Sequence, residues 1–169
     1  MPPLSPQSPI CQFPQRASRL RLSARTLELP QRPLLMGIVN VTPDSFSDAG
    51  RFFDPEVAVA RALQLAADGA DILDIGAESS RPGAIQTPED EELRRLLPVL
   101  REIVDWGVPL SVDTYKPTVM RAALDAGAAM INDISALRHS GALAAVAGSD
   151  CAICLMHMQG EPGTMQAAP

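Results

Sequence analysis

The segment after the apolar run at residues 34–39 carries the densest group of potentially reactive side chains in the chain. It reads NVTPDSFSD, from Asn40 to Asp48, and combines an amide, two carboxylates and three hydroxyls with a proline and a phenyl ring. A turn needs only one or two such groups to close its backbone. Because loops at strand ends often carry function on a rigid scaffold, we expect this segment to handle a charged substrate or a metal ion.

Four further polar motifs follow apolar runs later in the chain. They are GAESSRPG at 76–83, SVDTYKP at 111–117, INDIS at 131–135 and LMHMQGEPGTMQ at 155–166. If the apolar runs are parallel strands, their carboxyl ends share one face of the fold, where ligand-binding side chains collect. The polar residues that would meet there are Asn40, Glu78, Asp113, Asn132 with Asp133, and His157.

Five apolar runs alternate with four helical patterns. The runs lie at 34–39, 72–75, 108–112, 128–131 and 152–156. Asp54 is the predicted N-cap of the first helix, before Pro55, and Thr87 is the predicted start of the second, close to a capping box. Gly69 and Gly107 are predicted to end these two helices. This alternation predicts parallel strands joined by helical crossovers.

Two architectures fit this order: an open, doubly wound sheet and a (β/α)8 barrel. An open sheet concentrates ligand groups at one crevice, whereas a barrel draws them from every strand end, as this sequence does. We therefore expect an α/β fold of the TIM-barrel type. Such a barrel has eight strands and about 250 residues. The 169 residues supply five strands, so the barrel is expected to be incomplete.

The ends of the chain differ in composition from its centre. Residues 1–17 are rich in Pro, Gln and Ser and are predicted to form a disordered tail. Residues 19–29, RLRLSARTLEL, alternate polar and apolar side chains around Ser23 and Ala24, which predicts a short hairpin. Residues 18–169 are expected to form one domain.

Bulk composition argues against several classes of protein. A net charge of −6 and an aromatic content of 4% disfavour a nucleic-acid partner. No apolar run approaches the roughly 18 residues of a membrane span, and no secretory signal is evident, so we expect a cytoplasmic protein. Cys151 and Cys154 have a metal-like spacing, but positions i and i+3 of a strand face opposite sides, which favours packed strand cysteines.

The five motifs, in this order and at this spacing, resemble dihydropteroate synthase from about Leu34 to Pro169. The resemblance implies the joining of 7,8-dihydropterin-6-ylmethyl diphosphate to 4-aminobenzoate, with release of diphosphate, in folate biosynthesis. It also implies Mg²⁺ as cofactor, sulfonamides as inhibitors and a homodimer for the full-length protein. Ala77 departs from the family's usual glycine, and Tyr115 replaces a small polar residue.

The resemblance assigns a role to each matching residue. Asn40 would be an oxygen ligand of the metal, and Asp113 and Asn132 would bind the polar edge of the pterin. Ile134 and Met156 would pack on the pterin ring. A structural alternative stays open for each: Asn40 could close the turn, Asp113 and Asn132 could be satisfied by nearby backbone, and the two apolar residues could be core.

The loops of the first two motifs, at 40–48 and 76–83, would bind the second substrate, 4-aminobenzoate. Arg81 could bind the diphosphate or the aminobenzoate carboxylate, because a guanidinium suits both. Asp44 could stabilise a developing pterin cation. The aminobenzoate pocket would be formed by Pro43, Phe46, Ser80 and Pro82.

Two other functions remain open from the sequence. A pterin-binding methyltransferase uses a similar barrel, although the NVTPDSFSD and SSRPG loops argue against it. A non-catalytic pterin-binding fragment is the other alternative, because the family's later strands supply further pterin and diphosphate ligands. For that reason we expect the 169-residue chain to have no useful synthase activity alone.

Overall fold

A computed structural model describes residues 17–23, 25–29, 32–42, 54–79 and 86–160. The strands are β1 (Arg19–Leu22), β2 (Arg25–Glu28), β3 (Met36–Asn40), β4 (Ile72–Gly76), β5 (Leu110–Asp113), β6 (Met130–Asp133) and β7 (Ala152–Leu155). The helices are α1 (Pro55–Ala67), α2 (Glu89–Ile103), α3 (Pro117–Asp125) and α4 (Ala142–Val146), with a 3-10 turn at Val104–Trp106.

The strands β3 to β7 form one parallel sheet in sequential order, β3-β4-β5-β6-β7. A helix lies between each pair of neighbouring strands along the chain. A doubly wound sheet reverses its strand order at a switch point, and this sheet does not. The order therefore confirms the barrel type of α/β fold, with five consecutive strand positions in the described residues.

The four helices cover one face of this sheet. One buried cluster joins Val39, Ile75, Val112 and Ile131 of the strands to side chains from all four helices. The side chains on either side of these residues along each strand point the other way, because strand side chains alternate. We call the opposite side, which carries Asn40, Asp74, Asp113 and Asn132, the open face.

The helix boundaries agree with the sequence at one predicted cap and differ at another. Asp54 caps α1, as predicted, and its Oδ1 accepts a hydrogen bond from the Glu56 backbone N at 2.9 Å. The helix α2 begins at Glu89 with Pro88 as its N-cap and no side-chain cap, so the expected capping box at Thr87 was wrong. The Thr87 backbone N donates instead to Glu78 Oε2 at 3.1 Å.

The predicted amino-terminal hairpin is present as the antiparallel pair β1 and β2. Leu22 is fully buried, and the Ser23 backbone N donates to the Asp150 carbonyl at 3.0 Å, just before β7. The hairpin therefore packs at the amino-terminal end of the parallel strands. Of the predicted disordered tail, only Ala17 lies within the described residues.

Both cysteines of the described region are free. Cys154 lies within β7, Cys151 lies just before it, and both are half-buried. Cys151 packs against the apolar core and Cys154 lies on the open face beside Asn132, so the prediction of two packed strand cysteines is confirmed only in part. Within the described ranges, none of the helices is long and apolar enough to cross a membrane.

Candidate ligand site at the carboxyl ends of the strands

Five side-chain positions form a row across the open face, one from each parallel strand. The register places Asn40 beside Gly76, Gly76 beside Asp113, Asp113 beside Asn132, and Asn132 beside Cys154. Residues paired in this way project from the same side of a sheet. The structure thus brings Asn40, Asp113 and Asn132, three of the predicted site residues, into one polar row at the carboxyl ends of the strands.

Gly76 leaves space within this row, next to Asp113. A Cβ built on Gly76 would lie 3.4 Å from the Asp113 Cβ and 3.5 Å from its Oδ2. Any larger side chain at this position would lie over the carboxylate. A glycine here therefore leaves the Asp113 carboxylate uncovered by a side chain from β4.

The carboxyl group of Asp113 lies in an anionic setting. Burial, followed by the negative charges of Asp74, Glu92, Asp133 and Glu78, raises the pKa of Asp113 to about 7. Near neutral pH the group therefore exchanges readily between acid and carboxylate. A carboxyl group held in this way can accept a hydrogen bond from a ring N–H or donate one to a ring nitrogen.

Asn132 is fixed by a carboxylate rather than by backbone. Its Nδ2 donates to Asp74 Oδ2 at 3.0 Å, across the intervening strand β5. Asp74 lies in the middle of β4 and is only 5% exposed. Asp74 was not among the predicted site residues, although one carboxylate inside the apolar strand ILDIG was a usable signal.

A second row lies below the polar row on the open face. Asp74 is paired with Ser111, and Ser111 with Met130. Asp74 Oδ1 and Ser111 Oγ are both buried, and neither has a hydrogen-bond partner among the described residues. Two adjacent buried groups thus retain hydrogen-bonding capacity beneath the site.

Lys116 is the centre of a buried ionic network beside the site. Its Nζ donates to Glu78, to Glu92 Oε2 at 2.5 Å and to the Thr87 carbonyl at 2.6 Å. The Tyr115 hydroxyl also donates to Glu78, at 2.7 Å. Burial lowers the pKa of Lys116, but the hydrogen bonds to both glutamates outweigh it and raise that pKa above its ordinary value.

This network joins three parts of the framework. It links the end of β4, the start of α2 and the end of β5, and so holds the Glu78 side chain in place after β4. Glu78 was predicted as a strand-end group, but its partner Lys116 and the second glutamate of the network, Glu92, were not predicted. The Lys116 ammonium group is therefore paired with two protein carboxylates.

Asp133, next to Asn132, has a structural role. Its Oδ1 accepts from the Ser135 backbone N at 2.7 Å, and its Oδ2 accepts from the Leu137 backbone N at 2.8 Å. These bonds hold a turn in which Ala136 and Leu137 both have positive φ. The neighbouring Ile134 is half-buried within this turn.

Met156 lies beside this turn. Its backbone N donates to the Asp133 carbonyl at 3.1 Å, which extends the pairing of β6 and β7, and its side chain is half-buried. Ile134 and Met156 therefore follow the ends of neighbouring strands. Their contact with a pterin ring stays a prediction.

The remaining predicted site residues lie outside the described residues; they are Pro43, Asp44, Phe46, Ser80, Arg81 and Pro82. Of the two histidines, His139 packs against the Tyr115 ring, with centroids 4.7 Å apart, and His157 is exposed. Neither contacts the polar row through any interaction seen in the described region.

The described side chains can be compared with the ligands that the predicted Mg²⁺ would need. No group of three or more His, Cys, Asp or Glu side chains in the described ranges could hold a metal ion. Asn40, exposed at the end of β3, offers one amide oxygen. Mg²⁺ is a hard cation that takes one or two protein oxygens together with water and substrate phosphate. Asn40 fits that mode of binding and does not fit an all-protein metal cage.

Sequential parallel strands, helices on one face and a polar row at the strand ends define an α/β protein of the (β/α)8-barrel type, with a candidate ligand site at its carboxyl-terminal face. The chain belongs to the pterin binding enzyme family, whose sequence profile matches residues 36–169.

Individual relatives refine this assignment. The chain is 51% identical to a dihydropteroate synthase of Neisseria meningitidis serogroup B over 141 residues, 82% of this chain and 50% of that protein. A Xanthomonas albilineans dihydropteroate synthase structure with 4-aminobenzoic acid is 57% identical, with a TM-score of 0.79 and coverage of 86% of this chain and 53% of that one.

A third comparison agrees. The structure of Burkholderia cenocepacia dihydropteroate synthase complexed with 7,8-dihydropteroate is 48% identical, with a TM-score of 0.76 and coverage of 88% of this chain and 49% of that one. The resemblance to dihydropteroate synthase predicted from five motifs is therefore confirmed. The chain spans about half the length of the curated relatives it matches.

Proposed function

We propose that this chain forms the pterin-binding part of a dihydropteroate synthase. The complete fold would transfer the 7,8-dihydropterin-6-ylmethyl group from its diphosphate to 4-aminobenzoate. The observation that carries the proposal is the side-by-side placement of Asp113 and Asn132 in the polar row. The similarity to synthases solved with 4-aminobenzoic acid and with 7,8-dihydropteroate supports it.

Asp113 and Asn132 suit the polar edge of a pterin. That edge presents a ring amide and an exocyclic amine in one plane. The Asp113 carboxyl group and the Asn132 amide supply neighbouring hydrogen-bonding groups, and the pKa of Asp113, near 7, lets it serve as acceptor or donor. For Asn132, the described side-chain hydrogen bond runs from its Nδ2 to the Asp74 carboxylate and not to a backbone carbonyl, which differs from the structural alternative of backbone satisfaction.

The diphosphate needs positive charge that the described strand ends do not offer. In the described ranges, β5 and β6 end at Asp113 and Asp133, Glu78 follows β4, and the nearby Lys116 is paired with two glutamates. We therefore assign the diphosphate to Mg²⁺, held in part by Asn40, and to Arg81. When bound, the cation would neutralise charge on the departing diphosphate.

The proposed transfer is dissociative. The bond between the pterin methylene carbon and the diphosphate oxygen breaks first, and the electron pair leaves with the diphosphate. The aminobenzoate nitrogen then forms a bond to that carbon and loses a proton to solvent. Asp44 would stabilise the cation between these steps, and Pro43, Phe46, Ser80 and Pro82 would surround the aminobenzoate and exclude water.

Calorimetric titration with 6-hydroxymethylpterin tests the proposal on the 169-residue chain. We expect saturable binding at one site, weakened at least tenfold in Asp113→Ala and in Asn132→Ala. A matched control is Asp150→Ala, at the opposite end of the strands, which should bind as the wild type does. Absence of binding by folded wild-type chain would refute the assignment.

A further inference from the structure

Asp74 has an environment that stability alone does not explain. It lies in the centre of β4 between Leu73 and Ile75, both of which are fully buried in the apolar core. Its own side chain, 5% exposed, projects from the open face. Burial of a carboxylate is unfavourable unless it makes compensating interactions, and its Oδ1 has no partner within the described residues.

The one side-chain hydrogen bond described for Asp74 points to its role. Asp74 Oδ2 accepts from Asn132 Nδ2 at 3.0 Å, and the two residues lie on strands separated by β5. Asp74 belongs to the row below the polar row, so the bond is made on the side of Asn132 that faces away from the carboxyl ends of the strands.

The chemistry of this bond determines the orientation of the Asn132 amide. An asparagine side chain has an NH₂ group on one branch and a carbonyl on the other, and they occupy nearly the same volume. Asp74 Oδ2 accepts from the NH₂ branch, so Asp74 favours the rotamer with Nδ2 toward it. The reversed rotamer would place the Oδ1 carbonyl against the carboxylate oxygen. The Asn132 carbonyl is therefore left on the branch that is available to a ligand.

We propose that Asp74 is a positioning residue for ligand selectivity, because it holds the Asn132 carbonyl as a fixed acceptor beside Asp113. The inference rests on the proposed pterin site and deepens it. A fixed acceptor selects a ring edge that presents an exocyclic N–H at that point, as an aminopyrimidine ring does. A lumazine has a carbonyl in place of that amine. Its carbonyl oxygen would face the Asn132 carbonyl oxygen, and two acceptors form no hydrogen bond.

Paired titrations measure this selectivity. Wild type, Asp74→Asn and Ser111→Ala are each titrated with 6-hydroxymethylpterin and with its 2-oxo analogue, 6-hydroxymethyllumazine. A site that hydrogen-bonds a ligand N–H rejects an analogue lacking it by large factors. We expect the wild type to prefer the pterin at least 100-fold, and Asp74→Asn to reduce that ratio below tenfold, because an amide at position 74 permits either orientation of Asn132.

Ser111→Ala is the matched control. Ser111 is fully buried and lies beside Asp74 in the same row, but it makes no described hydrogen bond to Asn132. Its variant should keep the wild-type ratio even if overall affinity changes. An unchanged ratio in folded Asp74→Asn, or an equal loss of selectivity in Ser111→Ala, would overturn the proposal.

A measurement without ligand separates this proposal from the proposed function. In the wild-type protein, the side-chain NH₂ signals of Asn132 are assigned by NMR through their loss in Asn132→Asp. One of the two protons should exchange with solvent at least tenfold more slowly than the other, because it is bonded to Asp74. Equal, rapid exchange of both protons overturns the positioning role, and this holds even if Asp74→Asn does not fold.

The two failures are therefore distinguishable. A protected Asn132 proton without any pterin binding would leave the positioning of Asn132 intact and refute the pterin assignment. Pterin binding with two unprotected protons would leave the assignment intact and refute the role of Asp74.

Discussion

Asp113 on β5 and Asp74 on β4 lie on the same face of neighbouring strands, one row apart, and each side chain ends in a carboxyl group. Burial, and next to it the negative charge of Asp74, raises the pKa of Asp113 to about 7. The fold thus holds two carboxyl groups in a setting that favours the protonation of one of them. The pair connects the chemistry of the proposed site to the stability of the protein.

The stability of the protein should depend on the protonation of Asp113. Its pKa is about 3.8 when unfolded and about 7 when folded, so between pH 4 and pH 7 the folded state binds more protons. Stability from this group is therefore fully present below pH 4 and is lost as pH rises to 7, by up to about 4 kcal/mol. Urea unfolding of wild type and Asp113→Asn at several pH values measures the difference.

The comparison of the two proteins isolates Asp113 from other carboxylates. Hydrogen bonds from Arg94 to Glu91 and from Arg32 to Asp71 lower the pKa of each carboxylate to about 2, which gives the opposite pH dependence in both proteins. The free energy of unfolding of Asp113→Asn minus that of wild type should increase from pH 4 to pH 7. This difference should change little above pH 8. A difference that stays constant over this range would contradict the raised pKa.

Lys116 should be important for stability because it compensates the buried Glu92 and the partly buried Glu78. The substitution Lys116→Met leaves Glu78 and Glu92 without their cation, and Glu92 is only 1% exposed. Removal of one member of a buried ion pair costs about 3–5 kcal/mol. Urea unfolding at pH 7 measures the loss.

A surface ion pair supplies the control for Lys116. Arg94 pairs with Glu91 on α2, and its side chain is 61% exposed. Arg94→Met should leave the free energy of unfolding nearly unchanged, because exposed pairs contribute little. Equal effects of the two substitutions would show that the Lys116 network does not stabilise the fold.

Gly127 and Gly107 form a matched pair of glycines with positive φ, at +96° and +81°. Alanine at Gly107 meets no atom within 4 Å, so it should cost only the backbone strain of about 1–2 kcal/mol. Alanine at Gly127 would place its Cβ 2.6 Å from Val104 Cγ2, and valine is stiff at χ1. We expect a further loss of about 1–3 kcal/mol, measured by urea unfolding. Similar losses at both positions would contradict the predicted clash.

Asn40 should link metal and diphosphate binding. We expect Mg²⁺ to increase the affinity of the chain for 6-hydroxymethylpterin diphosphate at least tenfold, and Asn40→Ala to remove most of that increase. Binding of plain 6-hydroxymethylpterin should stay within threefold of wild type, because it lacks the phosphates. Calorimetric titration with and without Mg²⁺ measures both ligands. A Mg²⁺ effect that persists in Asn40→Ala would exclude Asn40 as a metal ligand.

The strands and their site residues were predictable because burial imposes a simple pattern. Apolar runs of four to six residues, followed by Asn40, Asp113 or Asn132, predicted both the parallel order and the row in which these side chains meet. The starts of β4 and β7 agree with the predicted runs, whereas the other three starts and all five ends differ by one or two residues, because backbone pairing as well as hydrophobicity determines where a strand begins and ends.

Other features depend on contacts between distant segments. The bond from Asn132 to Asp74 and the bond from Lys116 to Glu92 join residues 58 and 24 positions apart, and no local pattern specifies such partners. The capping prediction at Thr87 failed for the same reason, because the Thr87 backbone is engaged by Glu78 and Lys116. The position of the Asp74 carboxylate inside an apolar strand was the one local indication of these long-range contacts.

The most direct test of the account is pterin binding by the 169-residue chain and its Asp113→Ala variant. The chain is titrated with 6-hydroxymethylpterin, and folding of both proteins is verified by circular dichroism. The account predicts one saturable site in the wild type and at least tenfold weaker binding in the variant. Equal affinity of the two folded proteins, or no binding by either, would contradict the central claim that Asp113 forms a pterin site.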